Sequence, residues 1–264
     1  MQKQEVTEGG LRANFYQACA TRRRVIIYLG GSEGGMPFVS REERLQPLLD
    51  LGHPVLCLAY FGVDGLPPSL ERIPLEYFER ALDWLSRQPD IINEYAIIGC
   101  SKGGELALLL ASRYTQVKAV VASVPSHVVW QGIPNGFPRF PLGSSWSYAG
   151  KNLPFVPIRF SPALIAGLMT SRFRKAYERA LLNKKRVAQA TIPVEKIGGP
   201  VLLISGREDT LWPSTPMCEQ VVSRLSANRF AFPYRHVVME SGHGVESVEG
   251  FWPTVTAYLE EHFL

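Results

Sequence analysis

The stretch Tyr95-Ala96-Ile97-Ile98-Gly99-Cys100-Ser101-Lys102-Gly103-Gly104-Glu105-Leu106-Ala107-Leu108-Leu109-Leu110 decides how this chain is read. It opens as a short apolar run with β-branched residues, which predicts a strand. It closes on apolar residues that are good helix formers, which predicts a helix. Between them stands Gly99-x-Ser101-x-Gly103. In the order strand, sharp turn, helix, such a serine sits on a strained corner with its hydroxyl pushed clear of the sheet. Glycines flank it where a Cβ would collide with the neighbouring strand or helix. The helix that follows aims its first N–H groups at the site, which suits a developing negative charge. The pentapeptide alone also fits an ordinary Gly-rich turn; the strand before it and the helix after it favour a nucleophile. Cys100 stands beside the nucleophile position and reads as a small strand-end residue.

Upstream, the run over 25–29 is continuously apolar, as expected for a strand covered on both faces. Arg22-Arg23-Arg24 before it read as a solvated loop, with an anionic ligand as the lesser alternative. After it comes Gly30-Gly31-Ser32-Glu33-Gly34-Gly35. A phosphate-cradling P-loop is excluded because no Gly-Lys-Ser/Thr ends the stretch, and the dinucleotide glycine spacing is absent. The remaining role is the second half of an oxyanion hole. Its donors would be the N–H of Lys102, just after the nucleophile, and that of Ser32, with Gly31 the alternative. Glu33 is expected to point away from that hole, toward Lys102.

Strands are expected over 11–17 (as a first edge strand), 54–59, 117–122, 201–205 and 236–240. Helices are expected over 41–51, 74–88, 216–225 and 248–263, and residues 1–10 read as a fraying start. Strands alternating with helices predict an α/β fold with a mainly parallel central sheet. The alternation breaks over 125–193, which is rich in proline and aromatics. It is read as a cap inserted into a single domain spanning 1–264, with one helix over 161–190 opened by Ser161 as N-cap and Pro162. Trp146, Tyr148, Arg172 and Arg174 are the cap's candidates for substrate contact. Its basic residues read first as a solvated face, and second as a mouth for an anionic substrate.

A serine hydroxyl needs a base, and the base needs an acid to hold its tautomer. In a strand–turn–helix serine site the chain order is Ser, Asp or Glu, His, the last two on loops after late strands. Of the five histidines only His243, in Ser241-Gly242-His243-Gly244, meets that condition. Asp209 is the only aspartate after Ser101; its neighbour Glu208 remains an alternative.

Composition sets the bounds. The chain has 264 residues, 46% hydrophobic and 20% charged, as in an ordinary globular domain. A net charge of +4 is too small to argue for nucleic acid. No apolar run is long enough for a membrane span. The polar start Met1-Gln2-Lys3-Gln4-Glu5 shows no secretory signal, so the expectation is a cytoplasmic protein with reduced thiols. The four cysteines match no metal spacing, and no metal or redox cofactor is expected.

With these residues in place, the chain resembles the C-terminal domain of the acyl-CoA thioesterase / bile acid-CoA:amino acid N-acyltransferase family, within the α/β-hydrolase fold. It is also similar to dienelactone hydrolase-like proteins. Besides the serine and glycine-rich blocks, the likeness rests on Leu75-Glu76-Tyr77-Phe78, Val117-Lys118-Ala119-Val120-Val121, Ile192-Pro193-Val194-Glu195-Lys196 and Gly206-Arg207-Glu208-Asp209-Thr210-Leu211-Trp212. The resemblance implies a Ser101, Asp209, His243 triad and a small-molecule acyl-CoA substrate. Eukaryotic members carry a preceding β-sandwich domain, and the acyltransferase members have cysteine at the nucleophile position. Ser101 here favours water as the acyl acceptor. The expected activity is hydrolysis of acyl thioesters. The alternatives are a carboxylesterase, an acyltransferase to an amine or alcohol, and a binding module without catalysis.

Overall fold

A computed structural model describes residues 2–17, 23–38, 42–134 and 143–264. Arg22, Cys19, Arg41, Phe137 and Phe140 lie outside the described residues. Eight strands form the main sheet: β1 (Gln2–Val6), β2 (Ala13–Gln17), β3 (Arg23–Leu29), β4 (Val55–Leu58), β6 (Ile91–Cys100), β7 (Val117–Ser123), β10 (Val201–Gly206) and β11 (Tyr234–Met239). Their order is β1-β2-β4-β3-β6-β7-β10-β11. The six from β4 to β11 run parallel, while β2 is antiparallel to both β1 and β4. The intervening β5 (Ile73–Pro74), β8 (Trp146–Tyr148) and β9 (Lys151–Asn152) make a separate small sheet.

The apolar runs of β3 and β6 are continuous because both faces of the sheet are covered. Val25, Ile27, Leu29, Tyr95 and Ile97 enter one core, packed with α2 (Glu76–Ser86), α3 (Lys102–Ala111) and α7 (Ser214–Ala227). Ile26, Tyr28, Ala96 and Ile98 enter the other, with α1 (Gln46–Leu49) and α8 (Phe251–His262). Alternation along the pleat thus sorts one unbroken hydrophobic run into two cores.

Several expectations are corrected. Residues 2–6 are not a fraying start but the edge strand β1, so β2 is an inner strand. Four of the five β1 side chains are exposed, so the strand is held by its backbone ladder and gives no hydrophobic signal. The helix expected over 41–51 is a 3-10 turn at Glu42–Leu45 followed by the single turn of α1. Pro74 belongs to β5, and helix α2 begins at Glu76.

The single helix expected over 161–190 is three: α4 (Pro162–Thr170), α5 (Arg174–Leu181) and α6 (Lys184–Ala190). Ser161 does cap α4, accepting the Leu164 N–H at 3.3 Å, with Pro162 in the first turn. The helix stops where Ser171 turns left-handed, at φ 56°. Asn183 then caps α6 by accepting the Arg186 N–H at 3.2 Å. These caps divert backbone groups that a continuous helix would pair internally. The three helices, with β8 and β9, form the insertion between β7 and β10. A third, small core joins it to the chain after β10: Val128, Trp130, Val156 and Ala190 of the insertion pack with Trp212 and Met217.

Candidate active site

The carboxyl ends of β3, β6, β10 and β11 bring four loops to one end of the sheet. At the end of β6, Ser101 adopts φ 55° and ψ −115°, a conformation rare for a side-chain-bearing residue. The strain is held by packing that only glycine allows. A Cβ on Gly99 would stand 2.1 Å from the Gly103 carbonyl oxygen, and one on Gly103 would stand 2.3 Å from that of Gly30. The Ser101 N–H donates to the Ser123 carbonyl at 2.8 Å, which ties the corner to β7.

The loop after β11 presents His243, whose Nε2 lies 2.9 Å from Ser101 Oγ. Its Nδ1 lies 2.8 Å from Asp209 Oδ2, on the loop after β10. An ionised carboxylate only accepts, so Nδ1 carries the proton and Nε2 is left to accept the serine O–H. Asp209 is fully buried. Its other oxygen, Oδ1, accepts the N–H groups of Leu211 at 2.9 Å and Trp212 at 3.2 Å. Two backbone donors and one ring donor thus hold the carboxylate in one orientation. Glu208, the sequence alternative for the acid, takes no part in this chain of bonds; its N–H donates to the Ser241 carbonyl at 3.0 Å.

Around the hydroxyl, Lys102 is the first residue of α3, so its N–H has no acceptor within the helix. The glycine-rich loop comes close on the other side: a Cβ on Gly31 would stand 3.3 Å from Ser101 Cβ. Gly31 itself is occupied, because its N–H donates to Glu33 Oε1 at 2.8 Å. Glu33 therefore turns onto its own loop, contrary to the expectation that it faces Lys102. Ser32 is exposed in the turn between them.

Lys102 is instead paired at 2.6 Å with Glu105, one turn along α3, and both side chains are buried. Burial raises the Glu105 carboxyl and lowers the Lys102 ammonium, each opposed by the other's charge. Glu105 Oε1 also accepts the indole N–H of Trp146 at 2.7 Å and the backbone N–H of Trp130 at 3.3 Å. Helix α3, which starts just after Ser101, is thereby fastened to the insertion.

The four insertion residues named from sequence separate here. Trp146 has no exposed surface, and its N–H is spent on Glu105. Tyr148 stacks under Arg113 at 3.7 Å, past the far end of the ten-residue α3, about 15 Å from its start. Both anchor the insertion through these contacts. Arg172 is exposed in the turn between α4 and α5. Arg174 donates to the Asp209 carbonyl at 3.1 Å and pairs with Glu178 at 2.8 Å, so it tethers α5 to the acid's loop.

Two residues at the site carried no legible role in the sequence. Tyr60 donates its hydroxyl toward the Gly30 and Gly31 carbonyls at 2.6 and 3.0 Å, bracing the glycine-rich loop. Trp212 packs edge-on against the His243 ring at 5.7 Å, and Tyr177 of α5 packs against Trp212 at 5.6 Å. Both are ordinary apolar positions until the fold places them. Beside Cys100, next to Ser101, a cavity of about 450 Å³ opens between Glu33, Phe61, Glu246 and Trp252.

Comparison with known proteins gives the family and the fold. Residues 73–261 match the family model described as BAAT / Acyl-CoA thioester hydrolase C terminal. The mitochondrial acyl-coenzyme A thioesterase 2 of Mus musculus is 30% identical over 222 residues, 84% of this chain and 45% of that protein. The bile acid-CoA:amino acid N-acyltransferase of Mus musculus is 28% identical over 205 residues, 77% of this chain and 44% of that protein. The chain thus spans about half the length of the curated relatives it matches. Among solved structures, the DcsB complex with its substrate analogue superposes with a TM-score of 0.64 at 17% identity, covering 98% of each chain. The Pyrococcus furiosus esterase Pf2001 superposes at 0.60 and 16%, covering 99% of this chain and 93% of that one. The fold is that of the α/β hydrolases, and the chain belongs to the BAAT / acyl-CoA thioester hydrolase C-terminal family.

Proposed function

We propose that this protein is a serine hydrolase that cleaves acyl thioesters, acyl-CoA above all, to free acid and thiol. The observation that carries this reading is the unbroken chain from Ser101 Oγ through His243 to the buried Asp209, on a strained corner, in a member of this family. Several relatives are named acyl-coenzyme A thioesterases, which supports the choice of thioester.

His243 Nε2 takes the hydroxyl proton as Ser101 Oγ attacks the carbonyl carbon. The negative charge forming on the carbonyl oxygen is held by the N–H groups of Lys102 and Ser32. Collapse expels the thiolate, and the proton on His243 is available to it. Water then attacks the acyl-enzyme carbonyl, giving its proton to His243, and that proton passes to Ser101 Oγ as the acyl–Oγ bond breaks and the acid leaves. Asp209 keeps the imidazole in the productive tautomer and stabilises it once charged, without itself taking the proton.

The test is thiol release from a panel of acyl-CoAs, run beside p-nitrophenyl esters, because the triad alone is indifferent to the leaving atom. The expected result is kcat/KM at least tenfold higher for thioesters, about 1.4 kcal/mol in transition-state binding. Turnover of oxygen esters alone would assign the site to a carboxylesterase instead.

A further inference from the structure

Eight large apolar side chains stand exposed among the described residues, and five lie within 160–182. Phe160 is 84% exposed, Leu168 68%, Met169 82% and Leu182 72%, with Ile165 at 41%. Ile165, Leu168 and Met169 are three and four residues apart, so they form one stripe on α4. The opposite side of that helix is committed: Gly167 is buried, and a Cβ there would meet the Phe173 ring at 2.6 Å. Helix α5 packs beside α4, and its exposed Lys175 and Arg179, with Leu182 at its C-cap, make a second stripe at four- and three-residue steps.

Charge singles out the same hairpin. Residues 159–186 hold eight basic side chains and one acidic one, Glu178, which Arg174 already occupies. The segment therefore carries +7 in a chain whose total is +4, which leaves the rest at −3. Two copies meeting through this face would set +7 against +7. A purely apolar partner would leave the charges unanswered. A surface that offers hydrocarbon beneath a layer of negative charge answers both.

We propose that the α4–α5 hairpin docks on an anionic phospholipid bilayer. Leu168 and Met169 insert below the headgroups, while Lys175, Arg179, Lys184 and Lys185 meet the phosphates. No helix of the described chain is long and apolar enough to cross a membrane. Arg174 ties the start of α5 to the Asp209 loop, so docking would hold the triad close to the lipid surface, where long-chain acyl thioesters partition.

The test is co-sedimentation with vesicles of phosphatidylcholine alone and of phosphatidylcholine with phosphatidylglycerol. Its readout is binding, so it stands or falls apart from the thioesterase reading. Binding to the anionic vesicles is expected to be about tenfold or more stronger, and to weaken as salt shortens the screening length from about 10 Å to about 3 Å. The double variant Leu168→Asp, Met169→Asp changes exposed positions. It should stay in the supernatant while keeping the wild-type melting temperature and the wild-type rate on a short, water-soluble thioester. Three results would overturn the proposal: wild-type protein that ignores anionic vesicles, a double variant that still pellets, or a wild-type dimer in sedimentation that the double variant dissociates.

Discussion

At Ser101 the backbone and the side chain have separate tasks. The backbone holds a strained left-handed conformation through the flanking glycines, and the hydroxyl only has to meet His243. Replacing Ser101 by alanine removes the hydroxyl and leaves the corner intact. Turnover should drop by about 10⁴-fold or more with an unchanged melting temperature. Asp209→Asn should also cost about 10⁴ in kcat, because an amide can impose the wrong imidazole tautomer. Glu33 tests the oxyanion loop. Its carboxylate lies where negative charge opposes the developing oxyanion, although its exposure screens the effect. Glu33→Gln keeps an acceptor for the Gly31 N–H and removes the charge. It should raise kcat by roughly fivefold, about 1 kcal/mol, whereas a fall would show that the charge is needed. The hydrogen-bonded arrangement of Ser101, His243 and Asp209 was legible residue by residue because motif, chain order and elimination converge on few positions. Glu33 was not, because a two-residue loop decides its rotamer and no pattern records that.

At the scale of elements, helix α3 both supports the Ser101 corner and anchors the insertion. Glu105 joins the two through Lys102, Trp146 and Trp130. Lys102→Met would leave a buried carboxylate without its cation, at a cost of about 3–5 kcal/mol in urea unfolding. The double change Lys102→Met, Glu105→Gln should recover part of that loss; no recovery would mean that packing rather than charge is disturbed. Strands with β-branched apolar runs, such as β3, β6 and β7, were plain in the sequence, since their burial on two faces leaves no polar interruption. The helices of the insertion were merged into one. Their breaks lie in single caps at Ser171 and Asn183, which helical periodicity passes over. The packing roles of Trp146 and Tyr148 were not legible for a related reason. An aromatic in an irregular segment reads the same whether it meets a ligand or fills a joint.

At the scale of the molecule, acid should loosen the structure through histidines buried in their neutral form. Burial lowers His127 from 6.5 to about 4, and its Nδ1 has no hydrogen-bond partner. The unfolded chain therefore takes up the proton first. The stabilisation from His127 is present above pH 6.5 and is lost as pH falls toward 4, by up to about 3 kcal/mol. His53 and His236, also lowered by burial, act in the same direction. His127→Gln should flatten the dependence of urea-unfolding stability on pH across that window; an unchanged slope would assign the acid sensitivity to other groups.

The proposed reaction passes through a covalent acyl-enzyme at Ser101. The most direct measurement is mass spectrometry of the protein quenched in acid during turnover of an acyl-CoA. An added acyl mass is predicted on the peptide that contains Ser101, absent from Ser101→Ala. An adduct on Cys100 instead, or full turnover by the Ser101→Ala protein, would contradict it.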